Sequence, residues 1–595
     1  MQNAIKLILV AFALACGVAP NGARGQSAGT PWRAIDALGR SVDAVDVNGE
    51  LREGKKVGIF YFLWLNESVP KAPWNDGPYD LTKLLAKLPA SDLKDIELSK
   101  SKLWAGPGVM HFWGEPLYGY YVSRDPWVIR RHVQLLVDAG VDFLVFDTTN
   151  NVTYPDAVAA ICNVMLQMRK EGATTPQLTF MINTNAAQTA EKLWNEVYSK
   201  AEYAPLLLQL DGKPLLVGDP NVITNPTIKE KLTLRRAHWP FEMVNTENAW
   251  HWEAAYPQPY GWSKDPNKAE QVNVSVAQNL SRKPDAHVEN MSSGQARGRS
   301  FSEGRLEERL ATDLGLNFAE QWTRAYELDP EFVMITGWNE WIAGRWPRGD
   351  RNVFVDQYNR EYSRDIEPMK GGHHDNYYLQ MIQGIRKYKG VAPLPQLTSF
   401  KTIDVQGDFA QWRDVELVFS DWLGETTARD FPGCGETHYK NTSGRNDFIS
   451  FKATRDENAF YFYAKTASAI SEDRDGLCLL INTDDNLKSG FIGGDVLIGA
   501  KYDENSASVA NYSGKKSDQW RWTVSGEVEY KVAGNEIMIA VPYSVLGLTK
   551  ETASFDKLGF KWLDNFVGKL SIDDLYTRGD VAPESRFFFQ AIEKN

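Results

Sequence analysis

The sequence predicts an α/β protein, a (β/α)8 barrel, followed by an all-β sandwich domain. Between residues 57 and 390, short apolar segments alternate with amphipathic segments of helical periodicity, which is typical of parallel strands joined by helices. Beyond residue 403, short segments of alternating apolar and polar residues follow one another with turn residues between them, which favours an antiparallel sandwich. A chain of 595 residues is also too long for one core.

Seven barrel strands are predicted from their buried-strand character. They cover residues 57–64, 141–149, 177–184, 214–220, 241–246, 272–278 and 332–338. An eighth strand is predicted near residues 117–122. The helical segments are 126–140, 155–171, 189–201, 305–328 and 374–388. A doubly wound open sheet is the alternative, but no glycine-rich phosphate turn follows the first strand.

The predicted domains follow these patterns. Residues 1–25 are a signal peptide, residues 26–390 the barrel, residues 391–402 a proline-containing linker and residues 403–595 the sandwich. In the signal, residues 5–18 are apolar but too short to cross a bilayer, and Ala23-Arg24-Gly25 predicts cleavage before Gln26. We therefore expect a secreted or periplasmic protein. Acylation of Cys16, as in an outer-surface lipoprotein, is the alternative.

Composition restricts the partners. A formal net charge of −12 argues against nucleic acid, which would call for a basic face. It also gives no support for attachment to an anionic membrane, and no segment after the signal is long and apolar enough to be transmembrane. The 20 tryptophans are a weak indication of carbohydrate binding. Pairing of Cys434 with Cys478 stays open.

Polar residues end four of the predicted strands. They are Asp147; Asn183 and Asn185; Asn245 and Glu247; and Asn339 and Glu340. Because strand carboxyl ends form the active face of such a barrel, these side chains predict a polar site there. Capping of the following helices is the alternative. Trp338 and Trp341 flank Glu340, which suits a sugar site better than a helix cap.

Carboxylates and tryptophans in an exported protein favour glycoside hydrolysis, because that reaction needs one carboxyl group as proton donor and another as base or nucleophile. The sequence carries neither the His-Glu-x-x-His pattern of zinc proteases nor the Gly-x-Ser-x-Gly elbow of serine hydrolases. An indole wall would raise the pKa of a carboxyl group by desolvation. The predicted partner is a carbohydrate, with no cofactor and no metal.

Several segments carry a resemblance to a known family. ITGWNEW, YNREYSRDIEPM and GGHHDNYYLQMI, with YFLW and IRRHVQLLVDAGVDFLVFD upstream, resemble glycoside hydrolase family 99 over about residues 55–390. The resemblance implies a (β/α)8 barrel that cleaves α-linked glycans, typically mannosides. It also implies two glutamates three residues apart, one assisting the substrate 2-hydroxyl and one serving as acid/base. Glu340 matches the first position, but Ala343 stands at the second.

Another carboxylate would therefore have to supply the second role. The candidates are Asp147, Glu253 and Glu115. Glu253 lies beside Trp250 and Trp252 in AWHWEAAY. If no carboxylate supplies this role, the chain is a non-catalytic glycan-binding protein on a degenerate barrel, which is the alternative prediction.

The predicted substrate-binding residues come from the same strand ends and from one loop. They are Trp338, Asn339, Trp341, Trp250, Trp252, Asn183, Asn245, Arg297 and Arg299. The loop is basic in an acidic protein and also contains Arg282, Lys283 and Arg305. Guanidinium groups there predict an acidic or sulfated substrate, with pairing to local Asp and Glu as the alternative.

The C-terminal region resembles family 9 carbohydrate-binding modules. The segments that carry the resemblance are IDVQGDFAQWRDV, LLINTDDNLKSGFIGGDVL and IMIAVPYSVLGL. The resemblance implies a β-sandwich with aromatic glycan platforms. Trp520 and Trp522 would face one side of a strand, as a platform or as core. Asp484, Asp485 and Asp495 are calcium ligands or turn residues.

Overall fold

The computed structural model describes residues 29–43, 50–242, 246–283, 287–302 and 311–594. Eight parallel strands form the ring of a barrel, each hydrogen-bonded to its neighbours in sequence order except at one seam. They are β1 (Lys56–Tyr61), β2 (Phe143–Thr148), β3 (Gln177–Ile182), β4 (Lys213–Val217), β5 (Thr233–His238), β6 (Ala249–His251), β7 (Gln271–Ser275) and β8 (Phe332–Thr336). The last strand pairs with the first, so the ring nearly closes.

The seam lies between β6 and β7, where a side chain replaces the backbone ladder. The Gln271 amide accepts a hydrogen bond from His251 N (2.7 Å) and donates one to His251 O (3.0 Å). Since an amide side chain offers both a donor and an acceptor, Gln271 satisfies the groups that a neighbouring strand would satisfy.

Six longer helices cover the barrel. They are α1 (Pro126–Ala139), α2 (Pro155–Lys170), α3 (Ala186–Leu193), α4 (Pro226–Lys231), α5 (Leu316–Leu328) and α6 (Asn376–Lys389). In α1, the Asp125 side chain accepts from Trp127 N and Val128 N, Pro126 opens the first turn, and Gly140 ends the helix in the left-handed region, as the sequence predicts. Among the described residues, no helix is long and apolar enough to cross a membrane.

Apolar side chains fill the barrel interior. Phe60, Phe143, Val145, Met181 and Met334 form one buried cluster inside the ring, while alternate residues of the same strands pack against the helices. Gly58 is required in β1, because a Cβ there would lie 2.1 Å from the Phe143 ring. Strand alternation then carries Asp147, two residues after Val145, to the mouth of the barrel.

Two of the predicted strands are wrong. Residues 117–122 form turns and isolated bridges; their aromatic character comes from burial beneath the C-terminal domain, where Tyr120 N donates to Tyr439 Oη (2.7 Å). The fifth barrel strand is β5 rather than 241–246, of which 243–245 lie outside the described residues. The charged residues of β5 hide its strand pattern in the sequence, because Arg235 is buried in an ion pair with Glu270.

The C-terminal domain is all-β, as predicted, but it is one curled sheet rather than two separate ones. Its ten antiparallel strands are β9 (Val418–Ser420), β10 (Phe448–Arg455), β11 (Ala459–Thr466), β12 (Cys478–Asn482), β13 (Val496–Tyr502), β14 (Ser506–Tyr512), β15 (Trp522–Ala533), β16 (Glu536–Pro542), β17 (Gly559–Asp564) and β18 (Asp580–Ala582). The long β15 joins the two halves, which face each other through Phe451 and Trp562.

Shorter elements complete the chain. The helices are Leu81–Leu85, Ala90–Leu93, Ala311–Leu314 and Asp574–Thr577, with single turns at Ile96–Leu98, Trp194–Tyr198, Ala204–Leu206, Met291–Ser293, Phe409–Trp412, Cys434–Glu436 and Tyr543–Leu546. The short strands are Ala34–Ile35, Ser41–Val42, Met110–Phe112, Gln209–Leu210, Thr246–Glu247, Gly261–Trp262, Gln278–Ser281, Ala296–Arg297, Ile342–Gly344, Trp346–Arg348, Arg351–Val353, Gln396–Leu397, Arg429–Pro432, His438–Asn441 and Ile592–Glu593. Cys434 and Cys478 are buried and unpaired with each other, and Trp520 packs edge-on against Phe491.

Candidate active site

The segment after β8 places Glu340 at the carboxyl end of the barrel. Asn339 fixes it to the chain that follows β1: its Oδ1 accepts from Phe62 N (2.9 Å) and its Nδ2 donates to Phe62 O (3.2 Å). On the other side, Gly337 N donates to Arg364 O (3.1 Å) and Glu367 N donates to Trp338 O (3.0 Å). These backbone bonds bring the side chain of Arg364 beside that of Glu340.

Arg364 is the centre of the site, since it binds two glutamates at once. Its Nη2 and Nε donate to Glu340 Oε2 at 2.7 and 3.1 Å, and its Nη1 donates to Glu253 Oε2 at 3.5 Å. The guanidinium carbon lies 5.0 Å from the centre of the Trp252 ring. All three charged side chains are at most 3% exposed, so the electrostatic attraction acts in a poorly solvated environment.

Burial raises the pKa of both glutamates. Glu253, whose Oε1 also accepts from Asn279 N (2.9 Å), has its pKa raised by burial to about 7, with Arg364 opposing the shift. Burial likewise raises the pKa of Glu340 well above its usual range, again against the attraction of Arg364. The site can therefore retain protons near neutral pH.

Two aspartates complete the cluster. Asp147 Oδ1 accepts from Thr149 N (3.0 Å) and the residue is 7% exposed. Burial raises the pKa of Asp147, and repulsion from Asp356 adds to the shift. Burial also raises the pKa of Asp356, against the attraction of Arg364. Both aspartates thus lie within electrostatic reach of Arg364, and we name Glu340, Glu253, Asp147 and Asp356 the carboxylate cluster.

A cleft of about 620 Å³ opens beside the carboxylate cluster, and Asp356 lies on its wall. Its other walls include Trp64, Asn150, Tyr154, Ala343 and Trp346. Trp64 stacks on Phe62 with ring centres 5.6 Å apart, whereas Trp346 is 47% exposed. Flat aromatic faces next to carboxyl groups are the surfaces that sugar rings contact in binding sites.

The four tryptophans predicted to bind substrate differ in position. Trp252 is half-buried over Arg364. Trp338, Trp341 and Trp250 are fully buried. Trp341 Nε1 donates to Glu367 Oε2 (2.6 Å) and Trp250 Nε1 donates to Glu270 Oε1 (2.9 Å), while Trp338 packs against His132. Of the four, Trp252 is the one whose ring lies against Arg364, the partner of the carboxylate cluster.

The predicted polar residues are also dispersed. Asn183 is exposed, and Asn245 lies outside the described residues. Arg297 and Arg299 are buried. Arg297 Nε donates to Ser281 O (2.9 Å), and Arg299 Nη2 donates to Asp365 O (2.8 Å) with its guanidinium over the Tyr377 ring. Their positions give the predicted anionic substrate no support.

Glu115 and Glu247 lie apart from the carboxylate cluster. Glu115 pairs with Lys370 (2.7 Å) and Lys83 (3.0 Å). Glu247 is exposed. Arg305 lies outside the described residues, so the structure does not place it.

Sequence reasoning missed Arg364, Asp356 and Trp64. Arg364 stands in YNREYSRDIEPM, a segment that carries the family resemblance, but nothing in the segment shows that it faces Glu340. Asp356 follows the apolar run Val353–Val355 in irregular chain. Its position on the cleft wall depends on a loop path that periodicity does not predict.

Comparisons with known proteins give limited information. No protein-family model matches the chain, and no curated protein matches it. Two solved structures of the GH99 endo-α-mannosidase from Bacteroides thetaiotaomicron are similar to this chain, with sequence identities of 12% and 14%. Each match covers 56% of this chain and 97% or 98% of the other chain, with a TM-score of 0.33. Scores this low carry no argument about activity.

Proposed function

We propose that the protein is an exported glycoside hydrolase that cleaves α-linked poly- or oligosaccharide by carboxylate catalysis. The observation that carries the proposal is the carboxylate cluster around Arg364 beside an aromatic-walled cleft at the carboxyl end of the barrel. This is the face on which barrel enzymes bind substrate. The α linkage rests on the Trp-Asn-Glu-Trp resemblance alone, and export rests on residues 1–25.

In this proposal, Asp356 is the proton donor. It is the member of the carboxylate cluster that lies on the cleft wall, and burial raises its pKa. A raised pKa favours the protonated form, which a carboxyl group needs in order to protonate the departing glycosidic oxygen. Asp147 is the alternative donor, since its charge acts on the cleft residue Tyr154 and adds to the rise that burial causes in the pKa of that phenol.

Glu340 is the second carboxylate. Arg364 holds its Oε2 through two nitrogens and opposes the rise in the pKa of Glu340 that burial causes. A base or nucleophile has to be ionised, so this role requires the form of Glu340 that Arg364 stabilises. Glu253 acts through Arg364, because its two oxygens accept from Arg364 and from Asn279 N. We therefore describe Arg364 and Glu253 as positioning residues.

Two observations favour a second candidate, a non-catalytic glycan-binding protein. Ala343 lines the cleft where a second glutamate would stand in the resembled family. The Glu340 side chain is 3% exposed and paired, so substrate would have to reach a nearly covered carboxylate. On this reading, Trp64 and Trp346 would bind sugar rings and no bond would be cleaved.

A panel of neutral, carboxylated and sulfated glycans separates the two candidates. Reducing-end release and binding are measured for the wild type, Glu340→Gln and the control Glu115→Gln, which removes a carboxylate outside the cluster. Release by the wild type and the control that Glu340→Gln abolishes supports the hydrolase. Binding by all three proteins without release supports the binder. Release confined to anionic glycans would restore the predicted acidic substrate.

A further inference from the structure

A second group of acidic residues lies far along the chain from the cleft, where α1 meets the C-terminal domain. It comprises Asp421, just after β9, Glu425, Asp580 at the start of β18, and Glu584, and we name these four the interdomain acidic group. Each is at most 9% exposed. The proposed glycosidase reaction uses none of them.

Three members have oxygens that lack a donor. Asp421, Glu425 and Asp580 each offer one oxygen within 4.8 Å of the others. Independently, Asp421 Oδ2, Glu425 Oε2 and Asp580 Oδ1 are buried without a hydrogen-bond partner in the described part of the chain. An unpartnered buried carboxylate oxygen is costly, so three neighbouring residues that each have one indicate a ligand.

The remaining oxygens of Glu425 and Asp580 are occupied. Glu425 Oε1 accepts from Arg131 Nη1 (2.6 Å), and Asp580 Oδ2 accepts from Phe448 N (2.6 Å). The fourth carboxylate, Glu584, accepts from Arg131 Nη1 (3.0 Å) through its Oε1. These bonds restrict the orientation of the carboxyl groups and leave the unpartnered oxygens available to a ligand.

The formal charge of the group favours a cation. Four carboxylates against the two cations Arg131 and Lys561 leave a formal charge of −2. Lys561 Nζ donates to Pro583 O, so one of its protons is already used. Asp447 adds negative charge nearby, although its own oxygens accept from Gly424 N and Glu425 N.

We propose that Asp421, Glu425 and Asp580 bind one divalent cation of the calcium class. An all-oxygen, carboxylate-rich donor set suits hard cations. Oxygens within 4.8 Å of one another can share one Ca²⁺, because Ca–O bonds measure about 2.3–2.6 Å. Since Arg131 of α1 bonds to Glu425 and Glu584, a cation here would tie the barrel to the C-terminal domain.

The test uses the full-length protein after treatment with a chelator. Titration with CaCl₂, followed by calorimetry and metal analysis, should show one Ca²⁺ bound per chain. The thermal midpoint should rise by about 5 °C at saturating Ca²⁺, because a ligand that binds only the folded state stabilises it. MgCl₂ at the same concentration should produce a smaller rise.

Variants assign the site. Asp421→Asn and Asp580→Asn should each lose Ca²⁺ binding and the thermal response. The double variant Asp484→Asn/Asp485→Asn, in an exposed turn that the sequence offers as another calcium position, is the matched control and should keep both. Loss of Ca²⁺ in the control alone would overturn the proposal. If Asp421→Asn and Asp580→Asn do not fold, the wild-type titration alone tests the proposal. No bound Ca²⁺ and no change in the thermal midpoint of the wild type would overturn it, and would mean that Lys561, Arg131 and protons neutralise the interdomain acidic group.

Discussion

Arg364 is the residue on which the carboxylate cluster depends. A single guanidinium pairs with Glu340 and Glu253 and attracts Asp356. Arginine suits this position because its planar fork donates in several directions and stays charged when buried. Without it, several buried carboxylates would repel one another in a region that water hardly reaches.

Replacement of Arg364 by Met should therefore destabilise the protein strongly at pH 8. Removal of one partner from a buried ion pair costs about 3–5 kcal/mol. The loss should be smaller at pH 5, where the carboxyl groups can be protonated, and the added substitution Glu340→Gln should recover part of it. Chemical denaturation at both pH values measures this effect. Equal stability of Arg364→Met and the wild type at pH 8 would show that Arg364 does not hold the cluster.

The raised pKa of Glu253 predicts a dependence of stability on pH. The pKa of Glu253 is about 7 in the folded chain against an ordinary value of 4.5, so the folded state binds this proton more tightly. This proton contributes on the order of 3 kcal/mol to the free energy of unfolding. The contribution is complete below about pH 4.5 and is lost as the pH rises through about 7. Glu253→Gln should flatten the thermal midpoint between pH 5 and 7 relative to the wild type. If the thermal midpoint of Glu253→Gln depended on pH as that of the wild type does, the raised pKa of Glu253 would be contradicted.

At the scale of elements, local signals account for most of the barrel. Pro126 and Gly140 mark α1, and the apolar runs mark β1, β2, β3, β4, β7 and β8. The strands β5 and β6 escape such reasoning because β5 contains a buried ion pair and β6 has three residues. No helix of the described chain separates β5 from β6 or β6 from β7, so the alternation that predicts the other units is absent there.

The candidate site was predictable where it lies at a strand end and not where it depends on pairing in space. Glu340 and Asp147 follow apolar strands directly, and both belong to the carboxylate cluster. Trp338 and Trp341 were predicted to bind substrate because they flank Glu340 in the sequence. Residues that are adjacent in the chain point in different directions after a strand ends, and both indoles are buried. Arg364 enters through a loop that backbone bonds tie to residues 337–338, and Asp356 follows Val355, whose carbonyl oxygen accepts from Met291 N.

The side chain of Gln271 should stabilise the seam between β6 and β7. Gln271→Met keeps the volume but removes both hydrogen bonds to His251, which leaves a buried N–H and a buried C=O unsatisfied. The cost should be about 2–4 kcal/mol, taking about 1–2 for each group. Urea unfolding measures it, with Gln177→Met, at a half-buried strand start, as the control. A loss no larger than that of the control would mean that the seam does not need the side chain.

At the scale of the molecule, buried ion pairs join the two domains. Asp375, at the start of α6, accepts from Arg586 Nη2 (2.9 Å) and from Tyr576 Oη (2.7 Å). Arg429 Nε donates to Asp125 Oδ2 (2.8 Å), so the cap of α1 is also bound by the C-terminal domain. Arg429 Nη1 also donates to Tyr118 O (2.8 Å), and Tyr120 N donates to Tyr439 Oη, so the irregular segment 117–122 is buried against the C-terminal domain.

Arg586→Met should loosen this contact, because Asp375 would lose a buried partner, at a cost of about 3–5 kcal/mol. We expect a lower thermal midpoint and faster proteolytic cleavage within residues 391–402. Arg578→Met, also in the C-terminal domain, is the control, since Arg578 is partly exposed and its Nε donates to a carbonyl oxygen within that domain. Cleavage of both variants at the wild-type rate would show that the domains do not depend on this pair.

The most direct test of the proposed reaction is the initial rate of reducing-end release from a responsive glycan by the wild type, Asp356→Asn, Glu340→Gln and Glu115→Gln. Loss of a catalytic carboxyl group should lower kcat by about 100-fold or more. We predict that loss for Asp356→Asn and Glu340→Gln and a rate near that of the wild type for Glu115→Gln. Undiminished release by Glu340→Gln and Asp356→Asn would contradict the assignment of hydrolysis to the carboxylate cluster around Arg364.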